Sequence, residues 1–384
     1  MALKGIKVLE LAGLAPAPFC GMILSDFGAT VTRIDRMIVN PIDCLSQGKR
    51  TIAVNLKSVK GQELVRKLSK VSDVLIEPYR PGVMEKLNLS PEDLLKENPR
   101  LIYARLTGFG QTGPLAKRAG HDINYLAISG VLSLLGKHRE PPTPPINLLA
   151  DFAGGGLLCA FGILAAIVER DRSGKGQIVD SSMVEGAAYV GSWLTRSHSL
   201  PLWENSRGGN MLDGGAFFYS VYETKDGKFM SVGALEPQFF TEFINILGVD
   251  GLDQSDAYSV ESKKKVEKAF KTKTQEEWNT LFENTDACVY PVVDWQNADK
   301  HPHNQHRKTF VPKEITSSFI VPSPAPKLSR TPASSGVTGS RVDDDDDNYV
   351  KQIKEICEEI DLNVNDIEKL IEEGALISPA QSKL

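Results

Sequence analysis

Short apolar runs and amphipathic stretches alternate along the first 110 residues. The run GIKVLEL at 5–11 mixes β-branched and straight apolar residues and predicts a strand. The loop AGLAPAP leads into a predicted helix from Phe19 to about Phe27, which Gly28 is suited to end. TVTRID at 30–35 predicts a second strand, and TIAVNL at 51–56 alternates like a third. VKGQELVRKLSKV carries the spacing of an amphipathic helix. DVLIEP at 73–78 predicts a strand that breaks at Pro81-Gly82. Ser90 followed by Pro91 reads as a helix cap, and LIYARLTGFG at 101–110 predicts the next strand. Such alternation implies a mostly parallel sheet with helices on both faces, an α/β fold.

The pattern changes further on. Leu148 to Val190 reads as long buried helices, with a glycine turn at Gly154-Gly155-Gly156 and a break at Arg172–Gln177. The apolar stretch from Gly154 to Val168 is short and rich in small residues, so a buried helix is expected rather than a membrane span. FFYSVYETKDGKFMSVGAL holds two alternating runs around Asp226-Gly227, a hairpin signature. Helical patterns follow at 237–248 and 258–284. Val321–Pro332 is proline-rich, Asp343–Asp347 is a solvated acidic run, and amphipathic helices cover 348–361 and 364–373. The expected layout is a large α/β domain at 1–190, linkers at 191–216 and 311–332, a small domain at 217–310, and C-terminal helices at 333–384 that return to the large domain.

Composition narrows the function. The chain is 41% apolar and 24% charged with a net charge of −5, which fits a soluble globular protein and disfavours a nucleic-acid or membrane-surface binder. A local basic cluster still suffices for a small anionic ligand. The cysteines are scattered without a CxxC pair, so neither a disulfide framework nor a zinc site is expected. The N-terminus lacks the three-part plan of a signal peptide. The first strand is followed by AGLAPA rather than GxGxxG, which removes the main support for hydride transfer to a dinucleotide. Ser382-Lys383-Leu384 at the C-terminus matches the peroxisomal address read by an import receptor.

Four segments carry candidate chemistry. His121 and Asp122 lie in GHDINYLAISG, and an imidazole is suited to take a proton near neutral pH. Asp151, in NLLADFAGGG, reads either as a helix N-cap or as a buried carboxylate beside amides that could steady an oxyanion; the two readings are compatible. Glu236, in VGALEPQFF, is either a first-turn helix charge or a carboxylate that orients a histidine. Arg33, Arg36, Lys49 and Arg50 gather near strand ends, where ligands of open α/β sheets sit, and Arg36 suits a phosphate or a purine face. His301, His303 and His306 lack a Cys, Asp or Glu at useful spacing, so no metal site is expected.

At GHDINYLAISGVLS, DFAGGG and GKGQIVDSSMVEGAAY the chain resembles the family III CoA-transferase superfamily. GGNMLDGGAFFY and VGALEPQF resemble, more narrowly, its racemase branch, whose members invert the α-carbon of 2-methylacyl-CoA thioesters. The likeness runs from Met1 to about Pro332. It implies an interlocked homodimer with a large Rossmann-like parallel-sheet domain, a smaller α+β domain, and an active site shared between subunits. Position by position, it implies His121 and Asp151 as the two bases, with Asp122 and Glu236 as supporting carboxylates, Glu236 reaching His121 from the partner subunit. Arg36, Val54-Asn55-Leu56-Lys57 and the segment Gly120, His121, Asp122, Ile123, Asn124, Tyr125 match CoA and substrate contacts. SSGVTGSRVDDDDDNYV departs from the Gly-x-His-Thr segment usual in the family before its last helices.

The resemblance implies proton transfer through an enolate, without a metal or redox cofactor; CoA is part of the substrate. It implies branched fatty acyl-CoAs and bile-acid intermediates as substrates. The peroxisomal ending agrees with that pathway, and a mitochondrial share is left open. A CoA-transferase using Asp151 as nucleophile is the alternative, and a non-catalytic acyl-CoA-binding protein is a third reading.

Overall fold

The computed structural model describes residues 1–36, 38, 43–312, 320–336 and 346–378. They fall into two compact units, one of 1–129, 146–190 and 308–384, the other of 130–145 and 191–307.

The first unit is built on β1 (Lys7–Leu11), β2 (Thr30–Asp35), β3 (Arg50–Ala53), β4 (Val74–Glu77), β5 (Ile102–Thr107) and β6 (Ile178–Ser182). The six strands form one parallel sheet in the order β3-β2-β1-β4-β5-β6. Val8 stands opposite Val31 on one side and Val74 on the other. Between them run α1 (Pro16–Asp26), α2 (Val59–Lys70), α3 (Val83–Lys86), α4 (Pro91–Glu97), α5 (Asp122–Ser129), α6 (Leu158–Ser173) and α7 (Met183–Val190). Strands β4 and β5 are buried along their whole length, as in a sheet covered on both faces. The order reverses between β1 and β4, which in such sheets opens a crevice. At that point Gly13, after β1, lies against Pro78, after β4: a Cβ on Gly13 would stand 2.5 Å from Pro78 Cγ.

The C-terminal segment completes the β3 edge, as the helices Asp346–Glu358 and Val364–Glu372 bring Ala375–Ile377 against it. The Asn55 amide donates to the Ala375 carbonyl (2.9 Å) and the Ile377 amide to that of Ala53 (3.0 Å). Tyr349 Oη accepts from the Ala53 amide at 3.0 Å, and Gln352 Oε1 from that of Thr51 at 2.9 Å. An open strand edge is thereby covered.

The second unit holds α8 (Ser192–Arg196), the antiparallel sheet β7 (Tyr219–Glu223), β8 (Phe229–Gly233) and β9 (Val289–Pro291), then α9 (Pro237–Leu247), α10 (Val260–Phe270) and α11 (Gln275–Phe282). Gly227 turns the β7–β8 hairpin with φ +74°. The core is aromatic: Phe217, Phe218, Phe243, Phe270, Trp278 and Phe282 are all buried. The single helical pattern expected at 258–284 is two helices, because Thr274 and Glu277 form a capping box that starts α11. Segment 130–145 also joins this unit, although the sequence layout assigns it to the first domain. Arg207 donates to the carbonyls of Ser133 (3.1 Å) and Glu140, and Ser206 Oγ meets His138 Nδ1 at 2.6 Å.

Two expectations for 148–190 are corrected. The three glycines do not make a turn. They lie inside a π-helix, Leu148–Leu157, that runs on into α6 as 26 continuous helical residues. That run is long and apolar enough to cross a membrane by length and composition alone. Nor is it wholly buried: Leu157, Phe161, Leu164 and Val168 form an exposed stripe while Cys159, Ala160, Ile163 and Ala166 face the core. The tripeptide Ser382-Lys383-Leu384, most of the acidic run, and residues 337–345 of the atypical segment 334–348 lie outside the described residues.

Candidate active site

All strands of the large sheet point the same way, so the loops after β2, β3 and β5 share its C-terminal edge. The loop after β5 ends at Gly120 and feeds α5. Tyr125 shapes this turn. Its hydroxyl donates to the Gly120 carbonyl, and its ring lies edge-on to Phe109 with centroids 5.1 Å apart. A Cβ at Gly108 would sit 2.2 Å from the Tyr125 ring, and one at Gly120 2.7 Å from it. A side chain at either place would displace the Tyr125 ring.

His121 sits at the foot of α5 with its side chain exposed. Its amide donates to Asn124 Oδ1 (3.1 Å), and its carbonyl accepts from the amides of Asn124 (2.8 Å) and Tyr125 (3.2 Å). Ile123 and Asn124 are exposed, whereas Asp122 is buried at 3% exposure.

Asp122 turns out to be the cap. One carboxylate oxygen, Oδ2, accepts the amides of both Ala150 and Asp151 at 2.8 Å each. A carboxylate at a helix N-terminus satisfies donors that the helix cannot. Asp151 is not an N-cap: it lies inside the π-helix, and its amide is one of those bound. Those two amides are thus occupied by Asp122, which corrects the expectation that they steady an oxyanion.

The Asp151 carboxyl is half-buried and its pKa is raised. Burial is the main cause, and the neighbouring charge of Asp122 adds to it. Asn147, whose amide donates to Asp151 Oδ2 at 3.5 Å, and the charge of His121 pull the other way. His121, Asp122 and Asp151 therefore belong to one electrostatic cluster. Tyr125 belongs to it too: burial and the Asp151 charge raise its pKa, and Arg80 opposes them. The sequence reading passed over Arg80, exposed after β4, because a lone arginine beside Pro81-Gly82 looks like loop punctuation.

Glu236 stands at the N-cap position of α9 in the second unit, exposed, before Pro237. Its side chain makes no cap bond, and its charge helps to raise the Cys288 thiol pKa, which burial raises first.

The expected CoA contacts lie at the same edge of the large sheet. Arg36 follows β2 and is exposed; its amide donates to Asp35 Oδ1 at 2.6 Å. Val54 is buried and its amide donates to the Asp35 carbonyl at 2.7 Å. Asn55 Nδ2 holds the Gly374 carbonyl (3.1 Å), while its Oδ1 accepts the Lys57 amide at 3.1 Å. Leu56 is half-buried and Lys57 is exposed.

The other basic residues near the strand ends have internal partners. Buried Arg33 pairs with Asp35 and Asp43, and buried Lys49 donates to Glu10 (2.7 Å) and the Pro18 carbonyl (2.8 Å). Arg50 binds Glu359 at 2.6 Å and Thr32 at 2.7 Å. Of that group only Arg36 has an exposed side chain.

An α/β unit with an acid–base cluster and exposed basic side chains at the C-terminal edge of its sheet suits chemistry on an anionic, carbonyl-bearing ligand. The model of CoA-transferase family III matches residues 3–337, and the chain belongs to this family. Mouse α-methylacyl-CoA racemase is 53% identical over 339 residues, spanning 87% of this chain and 88% of that protein. The human protein of that name is likewise 53% identical over 338 residues, with the same coverage. Human succinyl-CoA:glutarate CoA-transferase is 29% identical over 356 residues, covering 85% and 80%. In fold, a CAIB/BAIF family protein from Brucella suis superposes with a TM-score of 0.76 at 23% identity, covering 92% of this chain and 99% of that one.

Proposed function

We propose that this chain is an isomerase that interconverts the (2R) and (2S) epimers of 2-methylacyl-CoA thioesters. The observation that carries the reading is the cluster at the sheet edge: an exposed imidazole, His121, beside a carboxyl, Asp151, whose environment favours its protonated form. The 53% identity to the two racemases supports the same substrate class.

The chemistry is proton transfer. Neutral His121 takes the α-hydrogen as a proton, and the C–H electron pair moves into the thioester as an enolate. Protonated Asp151 then delivers its proton to the opposite face of the α-carbon. The reverse direction exchanges the roles. Each step moves one proton and leaves the oxidation state unchanged, so the reaction calls for no redox cofactor. Arg36 and the 54–57 and 120–125 segments hold the CoA moiety in this reading. Branched fatty acyl-CoAs and bile-acid intermediates are the proposed substrates.

Catalysis rests on a homodimer. Exposed Phe161, Leu164 and Val168 on α6 are the kind of stripe a second copy covers. Glu236 of one subunit would orient His121 of the other. The terminal Ser382-Lys383-Leu384 supports peroxisomal import by its receptor, tested by whether a chain lacking those residues stays outside peroxisomes, in cytosol or mitochondria.

Incubation of the dimer with one epimer of a 2-methylacyl-CoA in deuterated water tests the activity. Deuterium enters the α-position and the epimers equilibrate. Transfer of CoA to an added free acid without α-deuteration would instead mark a CoA-transferase, the alternative in which Asp151 is the nucleophile.

A further inference from the structure

The π-helix that carries Asp151 is clamped by backbone contacts made through glycine. A Cβ on Gly186, in α7, would stand 1.9 Å from the Gly154 carbonyl oxygen. A Cβ on Gly154 would stand 2.5 Å from the Ala187 amide nitrogen. On another side, a Cβ on Gly156 would lie 2.7 Å from the Pro16 carbonyl oxygen at the start of α1. A Cβ on Gly155 would lie 2.9 Å from the Ala150 carbonyl oxygen of its own helix and 3.1 Å from the softer Met183 Cγ in α7. Gly186, Gly154 and Gly156 each meet the backbone of another helix first, and backbone cannot swing aside as a side chain does.

The same helix is tied at its start to α5, the helix that begins beside His121, through Asp122. It is therefore fixed at one end to the His121 turn and fixed in the middle by α7 and α1. Widening the Gly154–Gly186 contact pushes Gly154 outward against the tie at Ala150 and Asp151. Asp151 lies less than a helical turn before Gly154, so the resulting tilt of the helix moves its carboxyl. His121 has a separate seat, made by Asn124, Gly120 and Tyr125.

We propose that Gly186 is a positioning residue for Asp151: its missing side chain sets how close the π-helix approaches α7, and so where the Asp151 carboxyl stands relative to the α-carbon. This rests on the racemase reading, because only a two-base reaction makes the two faces separable. A displacement of about 1 Å at a reacting group costs on the order of a hundredfold in rate.

The test is Gly186→Ala in the full-length protein, given each epimer of a 2-methylacyl-CoA separately in deuterated water. For the epimer whose α-hydrogen faces His121, the variant keeps α-deuterium uptake near the wild-type rate. The imidazolium exchanges its proton with solvent and returns a deuteron to the same face. Inversion of that epimer falls by about tenfold to a hundredfold. For the other epimer, uptake and inversion fall together. Binding of free CoA is unchanged. Gly162→Ala, whose Cβ would stand 3.0 Å from Val179 Cγ1 further along the same helical run, leaves the uptake-to-inversion ratio at its wild-type value.

Equal loss of uptake and inversion for both epimers, or no change in either, would overturn the proposal. Should Gly186→Ala not fold, Met183→Ala loosens the same clamp by opening space beside Gly155. It should show the same asymmetry between epimers at smaller size, and a symmetric or absent effect refutes the idea. Wild type that neither exchanges nor inverts sinks the racemase reading itself, a result distinct from any of these.

Discussion

Removal of the Asp122 carboxylate probes both the architecture and the acid–base balance of the site. Asp122→Ala deletes the acceptor of two amides, one buried at Ala150 and one half-buried at Asp151. A buried donor left without a partner costs about 1–3 kcal/mol, so the pair amounts to about 2–5 kcal/mol. Asp122→Asn keeps an oxygen that can accept both amides. It places an amide nitrogen where Oδ1 has no hydrogen-bond partner among the described residues, at a cost of about 1–2 kcal/mol. Denaturant midpoints should therefore rank wild type above Asn above Ala. The Asn variant also removes a negative charge that helps to raise the Asp151 pKa. That pKa then falls, the protonated fraction at neutral pH shrinks, and the limb of the pH–rate profile that needs protonated Asp151 moves to lower pH. The assay is inversion rate against pH, in both directions, beside urea unfolding of the three proteins. Equal destabilisation by Asn and Ala would refute the capping argument, and a limb that stays put or moves to higher pH would refute the electrostatic one.

Other predictions follow the same physics. Gly120→Ala forces a Cβ to within 2.7 Å of the Tyr125 ring, and initial rates should fall about tenfold or more as the His121 turn shifts. Lys49→Met strands the fully buried Glu10 carboxylate and should cost about 3–5 kcal/mol in denaturant unfolding, while Glu10→Gln with Lys49→Met recovers most of it; no recovery would show that Lys49 acts through something other than Glu10. Glu77 is pushed up to about 7 by burial, against the opposing pull of Arg105, whereas an unfolded Glu titrates near its ordinary 4.5. The folded state holds the proton longer, so this contribution is fully present below the unfolded pKa and is lost as pH rises through about 7. The stability difference between wild type and Glu77→Gln should accordingly change by up to about 3 kcal/mol between those limits, measured by thermal melts across the pH range.

The sheet was legible because each strand carries a dense apolar run and each turn its own punctuation. Gly28, Ser90-Pro91 and Asp226-Gly227 all mark boundaries that the fold uses. The π-helix was not legible, since glycine triplets usually break structure. Here the backbones of α7 and α1 leave no room for a Cβ at Gly154 or Gly156, and the Ala150 carbonyl of the same helix crowds Gly155. Basic residues near the strand ends looked alike in sequence. Only the three-dimensional pairing separates Arg36 from Arg33, Lys49 and Arg50, whose carboxylate partners include Glu10 and Glu359, far away in the chain. Segment 130–145 was misassigned for the same reason: Arg207, whose donors hold it, is 74 residues from Ser133.

The roles of the two aspartates show how local reading goes astray at a site and why the arrangement suits the chemistry. By sequence, Asp151 opens a helix and reads either as its cap or as a buried carboxylate, and Asp122 is a supporting carboxylate only through the family resemblance. The structure gives the cap to Asp122, so the carboxyl of Asp151 is free of structural duty and is left half-buried beside another negative charge. A carboxylate that capped the helix would be stabilised in its ionised form by two amide donors, and its pKa would be pulled down. It would then be a poor proton donor near neutral pH. Assigning the cap to a neighbour avoids that effect and raises the pKa of Asp151 through like-charge repulsion. Burial, which raises that pKa most, and the neighbouring Asp122 charge together suit Asp151 to the acid role in the proposed reaction.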